Sequence, residues 1–140
     1  MRRFSLFFLV AACSSSAAQS APPAAAAKKY QIAVDAPKAV KTGAKDSFKI
    51  VLTPAPGFHV NQEFPVEVSI DAADVKLGKQ KLAKSDAKVW SEREGRFEVD
   101  FQIDQAGERS FQARARFAVC TEKDCWPARE TLTWKITAHP

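Results

Sequence analysis

The sequence contains few of the residues on which most catalytic and metal sites depend. Its 140 residues include three cysteines, two histidines and five glycines. The glycines form no phosphate-binding loop, and no Ser/His/Asp set or carboxylate pair stands out. A metal site built from Cys120, Cys125 and His59 is disfavoured, because structural zinc usually takes four closely spaced ligands. We therefore expect no hydrolase, no nucleotide enzyme, no cofactor and no bound metal.

Positive charge is also too dispersed for nucleic-acid binding. The formal net charge is +5, from 21 Lys and Arg against 16 Asp and Glu. Two of these positives, Arg2 and Arg3, fall in a leader that we expect to be removed, which leaves 19 basic against 16 acidic residues, or +3. The lysines are scattered, whereas a nucleic-acid surface concentrates them on one face. The sequence indicates a mildly basic, solvated surface and no nucleic-acid partner.

No apolar run at the N-terminus is long enough to span a bilayer. The run over residues 4–12 follows a basic Met-Arg-Arg start and is far shorter than the roughly 20 residues that a membrane helix needs. A basic start followed by a short apolar run is typical of a secretion signal. We assign residues 1–12 to a signal peptide.

The end of this run, Leu9-Val10-Ala11-Ala12-Cys13, resembles the lipobox of bacterial lipoproteins, whose cysteine is lipidated and becomes the new N-terminus. Cys13 would then carry a lipid anchor. Cleavage among residues 17–27, with Cys13 discarded, is the alternative. Ser14 at the next position resembles the signal for outer-membrane rather than inner-membrane retention. In both cases the domain works on the periplasmic side of the envelope, where disulfides persist.

After the anchor, the sequence divides into a tether and one domain. Residues 13–29 are rich in Ser, Ala and Pro without periodicity, which predicts a flexible linker. Residues 30–140 contain short alternating apolar runs separated by Gly/Pro turns, with no helical pattern and no repeat. About seven to nine such strands predict an all-β, immunoglobulin-like antiparallel β-sandwich. Residues 79–93 are the least periodic, and we expect a long loop with room for one edge strand.

Two cysteines lie where two of these alternating runs meet. The period-2 phase puts Cys120 on the polar side with Arg114 and Arg116, and puts Cys125 on the polar side of the next run. If the runs pair across the four-residue loop 121–124, the cysteines are directly opposite. Their Cα separation, about 4.5 to 5.5 Å, then suits a disulfide. The sequence predicts a small-loop bridge on a solvent-facing side of a sheet.

Such a bridge has two interpretations. Closing a six-residue loop stabilises a fold by roughly 2 kcal/mol, against nearly 5 for a hundred-residue loop, so stability is a modest reason for it. An accessible cysteine near Arg114, Arg116 and Arg129 is the kind that exchanges with other thiols. A thiol–disulfide exchange centre and an inert staple of a secreted hairpin both fit the spacing.

Further motifs accompany the pair. Pro56-Gly57-Phe58-His59-Val60-Asn61 precedes Phe64-Pro65, and Cys120-x4-Cys125-Trp126-Pro127 follows near the C-terminus. Together, over about residues 30–137, they resemble the N-terminal periplasmic domain of the thiol:disulfide interchange protein DsbD. The resemblance implies an immunoglobulin-like sandwich whose cysteine pair receives electrons from a membrane-embedded donor and passes them to oxidised, thioredoxin-like periplasmic proteins. Cys120 and Cys125 would exchange, with the first attacker undecided.

The resemblance also suggests which residues surround the pair. The aromatic that shields it in the best-known members has no clear equivalent; a gapless alignment puts Asp86 near that position, and Trp90 is the nearest candidate cap. His59 could tune thiolate formation, or could simply be a turn histidine bonded to a backbone carbonyl. The predicted auxiliary residues are His59, Asn61, Trp90, Arg116, Trp126 and Pro127.

A different class of function stays open on the same sequence. A lipoprotein binding or assembly module could use the edge of an immunoglobulin-like sheet, with the disulfide only pinning the terminal hairpin. The two hypotheses differ in one requirement, since exchange needs both cysteines and binding does not.

Overall fold

The computed structural model describes residues 28–140. The predicted signal peptide (1–12), the lipidation site Cys13 and the tether up to residue 27 lie outside the described residues. Within 28–140 the chain forms eleven strands and one 3₁₀ turn, Lys84–Asp86. The strands are β1 Tyr30–Asp35, β2 Ala39–Lys41, β3 Lys45–Pro54, β4 His59–Val60, β5 Glu67–Ala72, β6 Lys76–Leu77, β7 Lys81–Ala83, β8 Val89–Trp90, β9 Gly95–Gln102, β10 Gly107–Cys120 and β11 Cys125–His139.

The strands form two sheets that pack face to face. The first sheet has the order β1-β3-β9-β6, with β8 also paired to β9. The second has the order β2-β11-β10-β5-β7, with β4 also paired to β10. All pairs are antiparallel except β2 with β11, which run parallel. The predicted immunoglobulin-like antiparallel β-sandwich is confirmed.

The core lies between the sheets and follows the period-2 pattern of the sequence. Alternate residues of β3, β9 and β10 are buried, because successive side chains of a strand point to opposite faces. An aromatic cluster fills the centre: Phe48 contacts Phe101, Phe111 and Trp134 at ring-centroid distances of 5.9, 5.8 and 4.9 Å. Phe111 also stacks on Trp134 at 5.3 Å. These contacts join the two sheets into one core.

The stretch 79–93 differs from the predicted loop with a single edge strand. It holds two short strands, β7 on the second sheet and β8 on the first, joined through the 3₁₀ turn. The turn is held by Asp86, whose carboxylate accepts hydrogen bonds from the Ala83 backbone N–H and from Lys79. These two donors hold the pKa of Asp86 below its usual range. Strands of two and three residues are too short to show a period in the sequence.

The longest feature is the β10–β11 hairpin. Its register runs without a bulge from Gly107 opposite Ala138 to Cys120 opposite Cys125. The predicted pairing of the two cysteine-bearing runs across residues 121–124 is therefore confirmed. On its other side, β10 pairs with β5 and β4, so this hairpin holds the second sheet together.

Candidate functional site

The site lies at the tip of the β10–β11 hairpin, where Cys120 and Cys125 form a disulfide with their Cα atoms 4.0 Å apart. The loop beyond it is closed by the Thr121 backbone N–H, which donates to the Asp124 carbonyl over 2.8 Å. The Thr121 hydroxyl accepts from the backbone N–H groups of Lys123 and Asp124. A threonine that bonds the backbone two and three residues ahead fixes a tight turn. The predicted small-loop bridge is confirmed.

The two sulfur-bearing residues differ in exposure. Cys125 is exposed, as the strand phase predicts, whereas Cys120 is only 2% exposed. The prediction that both cysteines face solvent is therefore wrong for Cys120. One cysteine of the pair is exposed and the other is covered by protein.

The cover is the first part of the connection between β4 and β5, residues 61–64, which we call the covering segment. Phe64 lies under the Arg116 guanidinium, 5.2 Å from the ring centroid, so the segment crosses the outer face of β10. Ala118, between Arg116 and Cys120 on that same face, is 1% exposed. Strand alternation alone predicts an open face here, because it contains no information about a distant segment that folds over it.

Asn61 provides the closest polar contact to the sulfurs. Its side-chain amide Nδ2 lies 3.2 Å from the Cys120 Sγ and 3.5 Å from the Cys125 Sγ. Its Oδ1 accepts from the backbone N–H groups of Glu63 and Phe64, both at 2.8 Å. These two donors determine which way the amide is turned, so its N–H groups face the sulfurs. Asn61 is thus held in place by its own turn.

His59 lies beside the pair. In the β4–β10 register it is directly opposite Cys120, and it is half-buried. Directly opposed residues on neighbouring strands project from the same face of a sheet, so the imidazole and the Cys120 side chain share one face. Within residues 28–140 the His59 side chain makes no hydrogen bond. The bond to a backbone carbonyl that the turn-histidine interpretation predicts is therefore not found there.

Trp126 and Pro127 follow the exposed cysteine. The Trp126 ring contacts Phe58 at a centroid distance of 5.7 Å, and the Lys29 Nζ lies 5.2 Å from its centre. Trp126 alternates with Cys125, so it packs on the inner side of the hairpin tip and supports it from below. Pro127 is exposed and opposite Ala118.

Within residues 28–140, the remaining predicted residues make no hydrogen bond to the sulfurs. Trp90 packs over Gly95 and against Phe97, at 5.8 Å between centroids, on the first sheet. Arg116 lies four positions along β10 from Cys120, so their Cα atoms are roughly 13 Å apart at about 3.3 Å per residue. Arg114 is further along and forms a salt bridge with Asp71. The contact to the sulfurs comes from an amide rather than from the predicted arginines.

Beside the two sulfurs lie the Asn61 amide and the His59 imidazole, and the loop beyond the disulfide adds the exposed Glu122, Lys123 and Asp124. In the described part of the chain, no three His, Cys, Asp or Glu residues are grouped as metal ligands would be. Over the same residues, no helix has the length and apolar character to cross a membrane.

No protein-family model and no curated protein matches the sequence. Among solved structures, the chain is similar to native Escherichia coli alpha-2-macroglobulin, with 12% identity and a TM-score of 0.52 over 81% of this chain; it spans 7% of that protein's length. Weaker likenesses, at TM-scores of 0.46 and 0.41, are to AggA, the major subunit of aggregative adherence fimbriae type I of Escherichia coli, and to PapD-like domain 7 of human CEP192. AggA is 16% identical over 79% of this chain and 94% of its own, and the CEP192 domain is 12% identical over 89% and 95%. At these identities the likeness concerns the fold alone, and the chain is an immunoglobulin-like β-sandwich.

Proposed function

We propose that this chain is a thiol–disulfide exchange domain in which Cys120 and Cys125 carry reducing equivalents to oxidised proteins of the cell envelope. The observation that carries the proposal is the difference between the two cysteines: one is exposed, and the other is buried and in contact with an amide N–H. Exchange needs an accessible sulfur to attack or be attacked, and a leaving sulfur that is stable as a thiolate. The Cys-x4-Cys-Trp-Pro resemblance to the DsbD N-terminal domain supports the same proposal.

The exposure of Cys125 supports a different role for each cysteine in the two directions of exchange. When the domain is reduced, a donor thiolate attacks the Cys125 Sγ; the Cys120–Cys125 bond breaks and its electron pair leaves on Cys120. The donor's second thiolate then attacks the donor sulfur of this mixed disulfide and releases Cys125 as a thiolate. The donor is thereby oxidised to a disulfide, and the pair gains two electrons and two protons.

The reduced pair then passes these equivalents on. The Cys125 thiolate attacks one sulfur of a partner disulfide, and the other partner sulfur leaves as a thiolate. Cys120 then attacks the Cys125 Sγ, which restores the intramolecular disulfide and releases the partner's second thiolate. The partner gains two electrons and, on protonation, two protons.

Asn61 favours the charged form of the released sulfur. A hydrogen bond donated to a thiolate stabilises it relative to the thiol, and the Asn61 amide is 3.2 Å from Cys120 before the bond breaks. Because the covering segment holds this amide in place, little reorganisation is needed when the charge appears on sulfur.

The partners and location belong to the same proposal. Thioredoxin-like periplasmic proteins would accept the electrons, and a membrane-embedded donor would supply them. Lipidation at Cys13 would hold the domain on the periplasmic side of the envelope, at the outer rather than the inner membrane.

Trapping tests the proposal. In a Cys13→Ser background, Cys120→Ser leaves Cys125 as the only thiol. We expect it to form a mixed disulfide with a thioredoxin-like protein that lacks its resolving cysteine and whose remaining cysteine carries thionitrobenzoate, which leaves as a thiolate. The matched control, Cys125→Ser, leaves only the buried thiol and should give little adduct. The reduction potential of the intact pair should fall at about −120 to −270 mV with the fold unchanged; a value below about −300 mV would mark a structural staple.

The second candidate is a non-catalytic lipoprotein module for binding or assembly. It is favoured by the unpaired edge of β11 described in the next subsection, and it assigns the disulfide only to holding the hairpin tip. In this case the Cys120→Ser/Cys125→Ser variant would retain partner binding in a pull-down.

A further inference from the structure

One long strand edge of the second sheet has no partner in the described chain. β11 pairs with β10 along its whole length, but on its other side β2 covers only residues 137–139. Residues 125–136 therefore form a free edge. Unpaired N–H and C=O groups along such an edge are a template for another strand.

The hydrogen-bond pattern shows which residues present these groups. In an antiparallel pair, hydrogen-bonded and non-hydrogen-bonded positions alternate. Thr121 bonds Asp124 across the loop, so the even-numbered residues of β11 bond to β10 and the odd-numbered ones point their main chain outward. Thr137, an odd-numbered residue, follows this pattern, because its N–H points away from β10 and donates to the carbonyl of Lys38, just before β2.

The residues whose main-chain groups point away from β10 are Arg129, Thr131, Thr133 and Lys135, with Pro127 before them. Proline lacks an N–H and is tolerated in a sheet where that group would face away from the ladder, so its position agrees with this parity. The donors available to an added strand thus begin after Pro127.

An open groove of about 650 Å³ lies beside the middle of this edge, lined by Glu130 and Leu132 of β11, by β1 and by the end of β3. Ile32 and Leu132 line it, and both are only partly buried. The Tyr30 hydroxyl donates to the Glu130 carboxylate across the groove and joins the two sheets there. A strand added to β11 would place alternate side chains over Ile32 and Leu132.

The outer side of the edge is basic. Arg129 is directly opposite Arg116 on β10, and like charges so placed destabilise a sheet. Arg114 and Lys135 form salt bridges with Asp71 and Glu108, and Glu67 on β5 is directly opposite Arg116. Among residues 28–140, no carboxylate forms a salt bridge with Arg129. An anionic side chain next to Arg129 would offset this repulsion.

We propose that the β11 edge over residues 127–135 binds an extended acidic segment of a partner polypeptide as an additional strand. Acidic side chains of the segment lie beside Arg129 on the outer face, and the alternate apolar side chains cover Ile32 and Leu132. This binding activity goes beyond the proposed exchange chemistry, because it uses neither sulfur.

A second copy of the chain fits the edge less well. Antiparallel pairing of two β11 strands centred on Leu132 would bring Arg129 of one copy opposite Lys135 of the other. Basic side chains and a proline on an edge are a recognised protection against such self-pairing. The same charges attract an acidic segment.

The binding test uses a short fluorescent peptide of alternating Glu and Val, with a Lys/Val peptide as its control, and anisotropy as the readout. We expect the acidic peptide to bind the full chain at least about tenfold more tightly than the basic one. Arg129→Glu should weaken binding about tenfold or more, whereas Lys45→Glu, the same charge change on the first sheet, should not. Equal binding of both peptides, or no binding, would overturn the proposal.

Backbone pairing is tested separately. Thr131→Pro removes one outward N–H and should weaken binding about tenfold, while Thr131→Ala, which keeps the N–H, should not. With peptide bound, hydrogen exchange of the Arg129, Thr131 and Thr133 amides should slow at least about tenfold, and unchanged exchange would contradict the added strand. Thermal unfolding of each variant reports that the sandwich is intact.

Two further results separate this inference from its alternatives. Protection of the same amides without peptide, together with a dimer in sedimentation, would assign the edge to a second copy and overturn the proposal. The Cys120→Ser/Cys125→Ser variant should bind the acidic peptide as well as the unaltered chain does. A loss of binding in this variant, with its fold retained, would also count against the proposal.

Discussion

Among single residues, Asn61 makes the hydrogen-bond contact with the disulfide, because its amide reaches both sulfurs. Neighbouring backbone donors hold its oxygen, so the amide nitrogen is presented to the disulfide without a second side chain to orient it. The family resemblance predicts Asn61 near the pair, whereas the strand phase predicts that the arginines stabilise the thiolate. The difference arises because strand phase shows which face a side chain lies on and gives no distance along that face.

We predict that Asn61→Asp slows alkylation of the reduced pair by iodoacetamide about tenfold near neutral pH. The aspartate retains an oxygen for the Glu63 and Phe64 N–H groups, but replaces the donor to sulfur with a negative charge, which raises a thiol pKa. The rate profile should shift to higher pH. Gln62→Glu adds the same charge one residue away, and an equal shift in that variant would contradict a direct role for the Asn61 amide.

Tyr30 links the first sheet to the second through Glu130 and provides a pH-dependent contribution to stability. Burial, followed by the hydrogen bond and the charge of Glu130, raises the pKa of Tyr30 from 10.0 to about 12. A pKa that is higher in the folded state means that folding favours the protonated phenol. This contribution is complete below about pH 10 and is lost as the pH rises towards about 12.

We predict that, as the pH rises from about 10 to about 12, the urea midpoint falls more steeply for the unaltered chain than for Tyr30→Phe. The phenylalanine variant retains the ring contact with Phe117, at 4.8 Å, and lacks the titrating hydroxyl. At pH 8 it should be less stable by about 1 kcal/mol, the typical contribution of one hydrogen bond. Parallel curves for the two proteins above pH 10 would refute this assignment.

Among the elements, the hairpin was predictable and the short strands were not. Two alternating runs separated by four residues restrict β10 and β11 to one register, and the cysteine pairing follows from it. β6, β7 and β8 have two or three residues each and depend on tertiary partners. The covering segment was missed for the same reason, because its position over β10 depends on contacts between residues far apart in the chain.

The contact between β8 and β9 depends on a glycine. A Cβ at Gly95 would lie 2.5 Å from the Trp90 ring atom Cζ3, whereas a Cβ at Gly78 would be in ordinary contact, 3.4 Å from the Asp100 carbonyl oxygen. We predict that Gly95→Ala lowers the free energy of unfolding by about 1–3 kcal/mol, the usual range for overpacking. Gly78→Ala is the matched control. Similar losses in urea denaturation of the two variants would exclude this explanation.

For the whole molecule, the disulfide lies at one end of the sandwich, and neither cysteine belongs to the main core cluster. The buried apolar residues of both sheets pack against one another between the hairpin tip and the opposite end of the sandwich. The closed loop is short, with a sequence separation of 5. We therefore expect the fold to survive reduction of the disulfide.

We predict that reduction, or the Cys120→Ser/Cys125→Ser change, lowers the free energy of unfolding by about 2 kcal/mol and leaves one cooperative transition. Near-UV circular dichroism and urea denaturation, with and without dithiothreitol, measure this. Complete unfolding on reduction would mean that the disulfide is a structural requirement, and would remove the basis for an exchange role.

The order of the strands along the chain has a consequence for biogenesis. β2, β4 and β5 all pair with the β10–β11 hairpin, which follows them in sequence. A chain that emerges from a ribosome or a translocation channel with its N-terminus first can pair β1 with β3 early, but it cannot assemble the second sheet until the hairpin has followed. Pairings between distant segments also slow folding. Until the hairpin emerges, β2 and β4 have no strand partner within the described chain and β5 has only β7. The last strands to appear therefore complete the fold.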